Sequence, residues 1–241
     1  VPPAGRQALR CGGFARASRI KQRRKNNMSS ANMVRNYGWK GTKPPCSCAF
    51  VALKVLDILK KLGVSSAIDI GCGNGALCGM LKKNAIDVSG AEYDAEGCRL
   101  AQQAYPGIKI YNIGVYDSPA PIQKDKSDGF DCVISTEVVE HLFSPQYLPI
   151  FAATILRPEG YLIVSTPYHG FLKNLALAIF NYWDAHHSSL WEGGHIKFWS
   201  KKTITQLLET NGFKVLGFYG VGRFPFLWKS MILLAQKKES R

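Results

Sequence analysis

The run Ala67-Ile68-Asp69-Ile70-Gly71-Cys72-Gly73-Asn74-Gly75 constrains this chain more than any other segment. An apolar strand ends, and glycines follow at alternate positions. Glycine lets the backbone turn through conformations closed to other residues and lets a ligand approach bare main chain. A helix starting near Ala76 would aim its first free N–H groups at the same spot, which favours a carboxylate or a phosphate. A strand, a glycine turn and a helix in that order describe a nucleotide-type site in an α/β fold.

Two cofactor classes compete for such a loop. Gly71-x-Gly73-x-x-Ala76 fits the loose dinucleotide fingerprint, which is weak by itself. Asp69 before the first glycine and Gly75 after the second extend the pattern to Asp-x-Gly-x-Gly-x-Gly. That pattern resembles the first motif of class I S-adenosylmethionine-dependent methyltransferases. Phe130-Asp-Cys-Val-Ile-Ser-Thr-Glu137-Val-Val-Glu140-His141 resembles the fourth strand and following turn of the same class. Leu156-Arg-Pro-Glu-Gly-Tyr161-Leu-Ile-Val-Ser-Thr-Pro167 resembles its turn into strand five. The resemblance runs from Tyr37 to Lys238 and is nearest to ubiquinone-biosynthesis-type O-methyltransferases and related bacterial methyltransferases. A short-chain dehydrogenase would need Tyr-x-x-x-Lys on a helix. Tyr105 and Lys109 have the spacing, but Pro106 and Gly107 between them would break that helix.

The resemblance implies S-adenosylmethionine as cofactor, with Asp69 at its amino end and Gly71, Gly73 and Gly75 along its methionine part. Glu92 ends the second strand about twenty residues beyond the loop, the offset at which a carboxylate meets ribose hydroxyls in either cofactor class. Asp94 is a substitute for that role. Asp117 matches the position that meets the adenine amino group, and Glu137 borders the cofactor. Glu140 and His141 with Glu137 offer a possible divalent-ion set. Hydrogen bonding by acids at a helix start is the favoured reading, and no metal is assigned.

The chain of 241 residues is long enough for one well-cored domain. Its formal charge of +14 is unevenly placed. Residues 1–44 hold 11 Lys and Arg and no acid, leaving 20 basic against 17 acidic residues, a net +3, in the remainder. Residues 1–44 read as a basic, disordered tail and 45–241 as the methyltransferase domain. The tail could target a mitochondrion, contact nucleic acid or an anionic membrane, or precede a true start at Met28 or Met33. The last is favoured, because residues 1–27 show no amphipathic period. A cytoplasmic location is expected, with mitochondrial targeting by residues 1–27 as the alternative. The seven cysteines show no Cys-x-x-Cys pair, and Cys72, Cys78, Cys98 and Cys132 fall on or beside core elements.

Strands alternate with helices, which gives a doubly wound, mostly parallel, seven-stranded Rossmann-like sheet. The strands are expected at 67–71, 87–92, 108–113, 130–135, 161–166, 214–221 and 228–235. The Gly222–Pro225 connection is too short for a crossover, so the last strand runs antiparallel. A first helix over Phe50–Leu62 would carry Leu53, Leu56 and Leu59 on one face. Residues 167–199 form an insertion on the substrate side, holding four of the five histidines and many aromatic residues. His195 and His169 are the candidate bases there. The apolar stretch from Leu175 to Trp183 reads as a buried helix or as a membrane-leaning one.

The function expected is methyl transfer to a small-molecule acceptor at oxygen, aromatic or lipid-like and of the ubiquinone-precursor type. A carboxylate acceptor would need no base, whereas a phenol would. No nucleic-acid partner is expected. The alternatives are a nucleic-acid methyltransferase that uses the basic tail, a NAD-dependent oxidoreductase and a cofactor-sensing module without catalysis.

Overall fold

The computed structural model describes residues 38, 39, 41, 48–187, 190, 191 and 193–239. The expected tail, residues 1–37 above all, and the Cys46-Ser47 segment lie outside the described residues.

Local chemistry sets the elements. Helix α1 spans Cys48–Lys61. Strand β1, Ser66–Ile70, is buried along its whole length, as a central parallel strand covered on both faces must be. Helix α2, Ala76–Lys83, starts directly after Gly75. Strand β2, Asp87–Ala91, leads to helix α3, Ala95–Ala104, whose first N–H groups are capped by the Asp94 side chain. Strand β3 is only Ile110–Tyr111, and helix α4 is Ala120–Asp125. Strand β4, Phe130–Thr136, is followed by helix α5, Tyr147–Ile155. Strand β5 covers Leu156–Pro167 and begins before the expected Tyr161, because Leu156 pairs with Phe130 ahead of an irregularity in register. Helices α6, Phe171–Ile179, and α7, Trp183–His187, fill the insertion. Helix α8, Lys201–Thr210, opens with a Ser200–Thr203 capping box, and β6, Phe213–Val221, and β7, Ser230–Lys237, close the chain.

Among the described residues seven strands form one sheet in the order β3-β2-β1-β4-β5-β7-β6. β7 runs antiparallel to both β5 and β6, and the other pairs are parallel. The chain reverses between β1 and β4, so the crevice at the carboxyl ends of those strands is the natural ligand position. Apolar side chains pack on both faces. Ile68, Ile70, Val133, Leu148, Ile204 and Phe213 belong to one cluster, and Val55, Leu59, Leu77, Leu81, Cys132 and Ile134 to the other.

Helix α1 corrects the expected face. Val51, Val55, Ile58 and Leu59 are buried, while Leu53 is 63% exposed. The buried set recurs at four, three and one, the period that keeps side chains on one stripe, and Leu53 lies about 200° around from Val51. Cys72, Cys78, Cys98 and Cys132 are all free and buried.

Asp131 ties the sheet's amino edge together. Its carboxylate accepts from Ser65 N at 3.1 Å, Ser65 Oγ at 2.8 Å, Ser66 N at 2.9 Å and Arg157 Nε at 2.7 Å. Partial burial pushes this carboxyl up, but Arg157 and the Ser65 and Ser66 donors outweigh it and hold it well below the usual range. The depression exists only in the folded chain. Its stabilisation is therefore complete above the unfolded value near 4 and is lost as pH falls below it. Asp131→Ala should cost about 1–3 kcal/mol at neutral pH, and the gap to the native chain should narrow below about pH 4. Urea unfolding at several pH values measures both.

Candidate active site

The turn from β1 to α2 is made of glycine because its conformation demands it. Gly71, Gly73 and Gly75 have φ of 78°, 54° and 77°. A Cβ at Gly71 would overlap Val138, and one at Gly73 would overlap the Trp39 indole. The β2 end fastens this turn from the side. Gly71 N and Cys72 N donate to Ala91 O at 2.8 and 3.1 Å. Glu92 then accepts from Gly73 N through Oε2 and from Asp94 N through Oε1, each at 2.8 Å. The carboxyl of Glu92 is buried, which pushes it up against those donors. Each oxygen keeps a second lone-pair direction for a ligand hydroxyl.

Asp69 lies beneath the loop, 1% exposed. Burial, and then the nearby Glu92 charge, push its carboxyl up to about 7. Its Oδ1 is buried without a hydrogen-bond partner among the described residues, and Oδ2 receives only a long contact from Cys78 Sγ at 3.9 Å. A buried acceptor of this kind is suited to a cationic donor. Asp94 is occupied as the cap of α3, donor groups Glu96 N and Gly97 N lying 2.8 and 3.2 Å away. Asp117 closes the turn after β3 by accepting from Gly114 N at 2.8 Å.

Glu137 follows β4 with φ of 55°, a left-handed conformation that costs a non-glycine residue energy. Its side chain is held by Ser165 Oγ at 2.7 Å and Ser230 Oγ at 3.3 Å, donors from β5 and β7. The next turn carries Glu140 and His141. Glu140 is 1% exposed, and neither carboxyl oxygen has a hydrogen-bond partner among the described residues. Burial and the Glu137 charge push its carboxyl well up. Its carbonyl accepts from Ile196 N and Lys197 N at 3.0 and 3.1 Å, which pins the insertion to this turn.

The insertion brings the histidines together in two groups, His141 with His195 and His169 with His186 and His187. His195 packs edge-on against His141, ring centroids 4.9 Å apart, and Glu140, His141 and His195 each offer a ligand atom within 4.8 Å of the others. These three are the set that could hold a metal ion among the described residues, with His195 in the place where sequence spacing put Glu137. His169 stacks on His187 at 5.7 Å and meets Phe198 edge-on at 5.2 Å. Burial first, and then the neighbouring His195, lower His141 to about 4. Burial, and then the Lys173 charge, lower His169 to about 4. His195 is lowered by burial, His187 and Lys173. These imidazoles are neutral near pH 7, with a ring nitrogen lone pair, and the lowering makes each a weaker base than free imidazole.

Tyr105 and Lys109 are not a catalytic pair. Helix α3 ends at Ala104, Tyr105 packs against Gly79, and Lys109 reaches Asp125 at 2.9 Å. Sequence reasoning missed Trp39, Ser165, Ser230 and Lys173. Trp39 and Gly41 fall within the stretch assigned to the tail, yet Trp39 lies against Gly73 and Gly97, and Gly41 O accepts from Asn74 Nδ2 at 3.0 Å. Only Lys173 left a signal, as a lone cation inside an apolar run.

A methyltransferase-domain family model matches residues 46–217. The chain belongs to that family. Ubiquinone biosynthesis O-methyltransferase of Sinorhizobium medicae (strain WSM419) is 33% identical over 115 residues, 47% of this chain and 45% of that protein. The mitochondrial ubiquinone biosynthesis O-methyltransferase of Homo sapiens is 28% identical over 164 residues, 66% of this chain and 44% of that protein. The chain thus spans about half the length of these curated relatives. Magnesium protoporphyrin IX methyltransferase from Synechocystis PCC 6803, solved with bound SAM, superimposes with a TM-score of 0.54 over 78% of each chain at 16% identity, a likeness of fold. No helix among the described residues is long and apolar enough to cross a membrane.

The glycine turn gives a direct test. Gly71→Ala places a Cβ on Val138 at positive φ, whereas Gly107→Ala meets nothing within 4 Å. The first should lower stability by about 1–3 kcal/mol and the second by less than about 1 kcal/mol in urea unfolding.

Proposed function

We propose that this protein transfers a methyl group from S-adenosylmethionine to oxygen of a small-molecule acceptor. The observation that carries the reading is the buried Glu92 carboxylate locked by Gly73 N and Asp94 N beside a bare-glycine turn, in a chain of the methyltransferase family. Glu92 takes the ribose hydroxyls. Gly71, Gly73 and Gly75 face the methionine part, and the buried, under-used Asp69 takes its ammonium. Asp117 meets the adenine side and Glu137 borders the methyl group. The names of the curated relatives point to an acceptor of the ubiquinone-precursor type, an aromatic and lipid-like phenol. The aromatic insertion suits such a molecule.

The bound sulfonium supplies an already activated methyl group. The protein's part is alignment and exclusion of water, which is worth about 7–11 kcal/mol of barrier when two reactants are held in line. A phenolic acceptor must also lose its proton. The neutral His195 and His169 rings are the acceptors of that proton, placed on the insertion that faces the carboxyl ends of β4 and β5.

Titration calorimetry tests the cofactor. S-adenosylmethionine should bind at micromolar concentration, NAD should not, and Glu92→Ala should weaken binding by at least about tenfold. Absence of S-adenosylmethionine binding overturns the reading. Unchanged binding by Glu92→Ala overturns the ribose assignment.

The buried oxygens of Glu140, which take no hydrogen bond among the described residues and lie 3.9 Å at nearest from His141 Nε2, favour a second reading of the proton-removal step. Glu140, His141 and His195 would hold a divalent ion, which would lower the pKa of an acceptor hydroxyl as a Lewis acid. Mixed nitrogen and oxygen donors suit manganese, iron(II), cobalt or zinc. Manganese or zinc should raise the thermal midpoint of chelator-treated protein, and His195→Ala should abolish the rise. No rise with either metal refutes the site.

A further inference from the structure

Helix α6 is built inside out. Phe171 is 77% exposed, Leu172 50%, Leu175 42% and Ile179 67%, while the single buried residue of the helix is Lys173, at 7%. Of the two expectations for this stretch, the exposed Leu175 and Ile179 contradict the buried helix and leave the membrane-leaning one untested. An amphipathic surface helix ordinarily buries its leucines and leaves lysine in water. The reversal brings an ammonium group into the site at the expense of apolar burial.

Among the described residues that ammonium has no counter-charge within ion-pair distance. Among the described residues Lys173 makes no hydrogen bond and no ion pair within 4.0 Å. Glu137 attracts it electrostatically, but the Glu137 oxygens are held by Ser165 and Ser230. The other charge acting on Lys173 is Arg223, a second cation from the β6–β7 connection, exposed and also outside every ion pair among the described residues. Besides Glu137, the groups that feel the Lys173 charge are His169, His186, His187 and His195, all on the insertion. Lys173 lies one turn after His169, at the start of α6, with its side chain buried, and its charge reaches the candidate bases and Glu137. An ammonium taken out of water costs several kcal/mol unless an anion meets it. Burial, and then Arg223, accordingly lower it to about 8.

We infer that Lys173, assisted by Arg223, forms an anion-binding subsite that receives a carboxylate or phosphate group carried by the methyl acceptor. The inference rests on the methyl-transfer reading only for the identity of that molecule as the acceptor. The subsite orients the acceptor: the anion is held at α6, and the ring or chain that bears it extends toward His195 and the glycine turn. Lys173 and Arg223 act against one acid, Glu137, while burial pushes the neighbouring Glu140 carboxyl well up, toward its neutral form, so the pocket keeps the sign that such a ligand requires. Neutral imidazoles beside them can donate further hydrogen bonds.

The test compares benzoate and phenyl phosphate with neutral benzamide, a probe of similar size. Binding is followed by ligand-observed NMR on the full chain, with and without S-adenosylhomocysteine. At least one anion should bind about tenfold more tightly than benzamide, as expected for a charge-assisted hydrogen bond, and should do so with the homocysteine compound present. The anion preferred assigns the group. Lys173→Met should abolish the preference and keep or raise the thermal midpoint, since it removes a buried charge. Arg223→Gln, an exposed change that leaves the fold intact, should weaken the preference severalfold. Equal binding of anion and benzamide, no binding of any probe, or a preference that survives Lys173→Met overturns the subsite. Binding of S-adenosylhomocysteine is read in the same samples. Its failure counts against the cofactor reading, and its retention without anion preference counts against the subsite alone.

Discussion

The hydrogen bonds from Gly73 N and Asp94 N to the Glu92 carboxylate hold the two halves of the cofactor crevice in register. One oxygen fastens the turn that leaves β1, and the other fastens the turn that leaves β2. A loop with three residues at positive φ is entropically expensive, and without an anchor it would sample many shapes. Ala91 O and Glu92 together supply that anchor from the neighbouring strand. The same carboxylate is buried, so the order of the loop comes from one side chain and the neighbouring Ala91 carbonyl.

On the far side of the crevice the chain accepts costs of a different kind. Glu137 holds a strained backbone, Glu140 buries a carboxyl without a hydrogen bond among the described residues, and Lys173 turns its side chain inward on an otherwise exposed apolar helix. Each departs from what stability favours, and all three cluster where β4, β5 and the insertion meet. Concentrated departures of this sort mark a site shaped for chemistry. The insertion is pinned there by backbone bonds from Ile196 and Lys197 to Glu140, so its histidines face the strand ends without a regular sheet of their own.

The reading of the chain succeeded where physics is local. Alternating apolar and buried strands, the Gly75-to-Ala76 helix start, the Ser200 cap and the short Gly222–Pro225 connection each declare themselves over a few residues. It failed where a residue's role depends on a distant surface. Leu53 looked like a core residue by spacing, but the sheet lies on the other side of α1. The β3 strand proved to be two residues, Ile110 and Tyr111, paired in parallel with Gly90 and Ala91 at the edge of the sheet. Helix α6 reversed the usual polarity, which no window average reveals.

The sequence by itself determined the class of fold and the glycine turn between β1 and α2, because glycine conformation and strand alternation act through neighbouring atoms. Tertiary structure alone decided that His195 joins Glu140 and His141, that Trp39 lies against Gly73, and that Lys173 points inward. Those outcomes require segments separated by tens of residues to pack together. Their physical basis is burial and charge among groups that the linear order keeps apart.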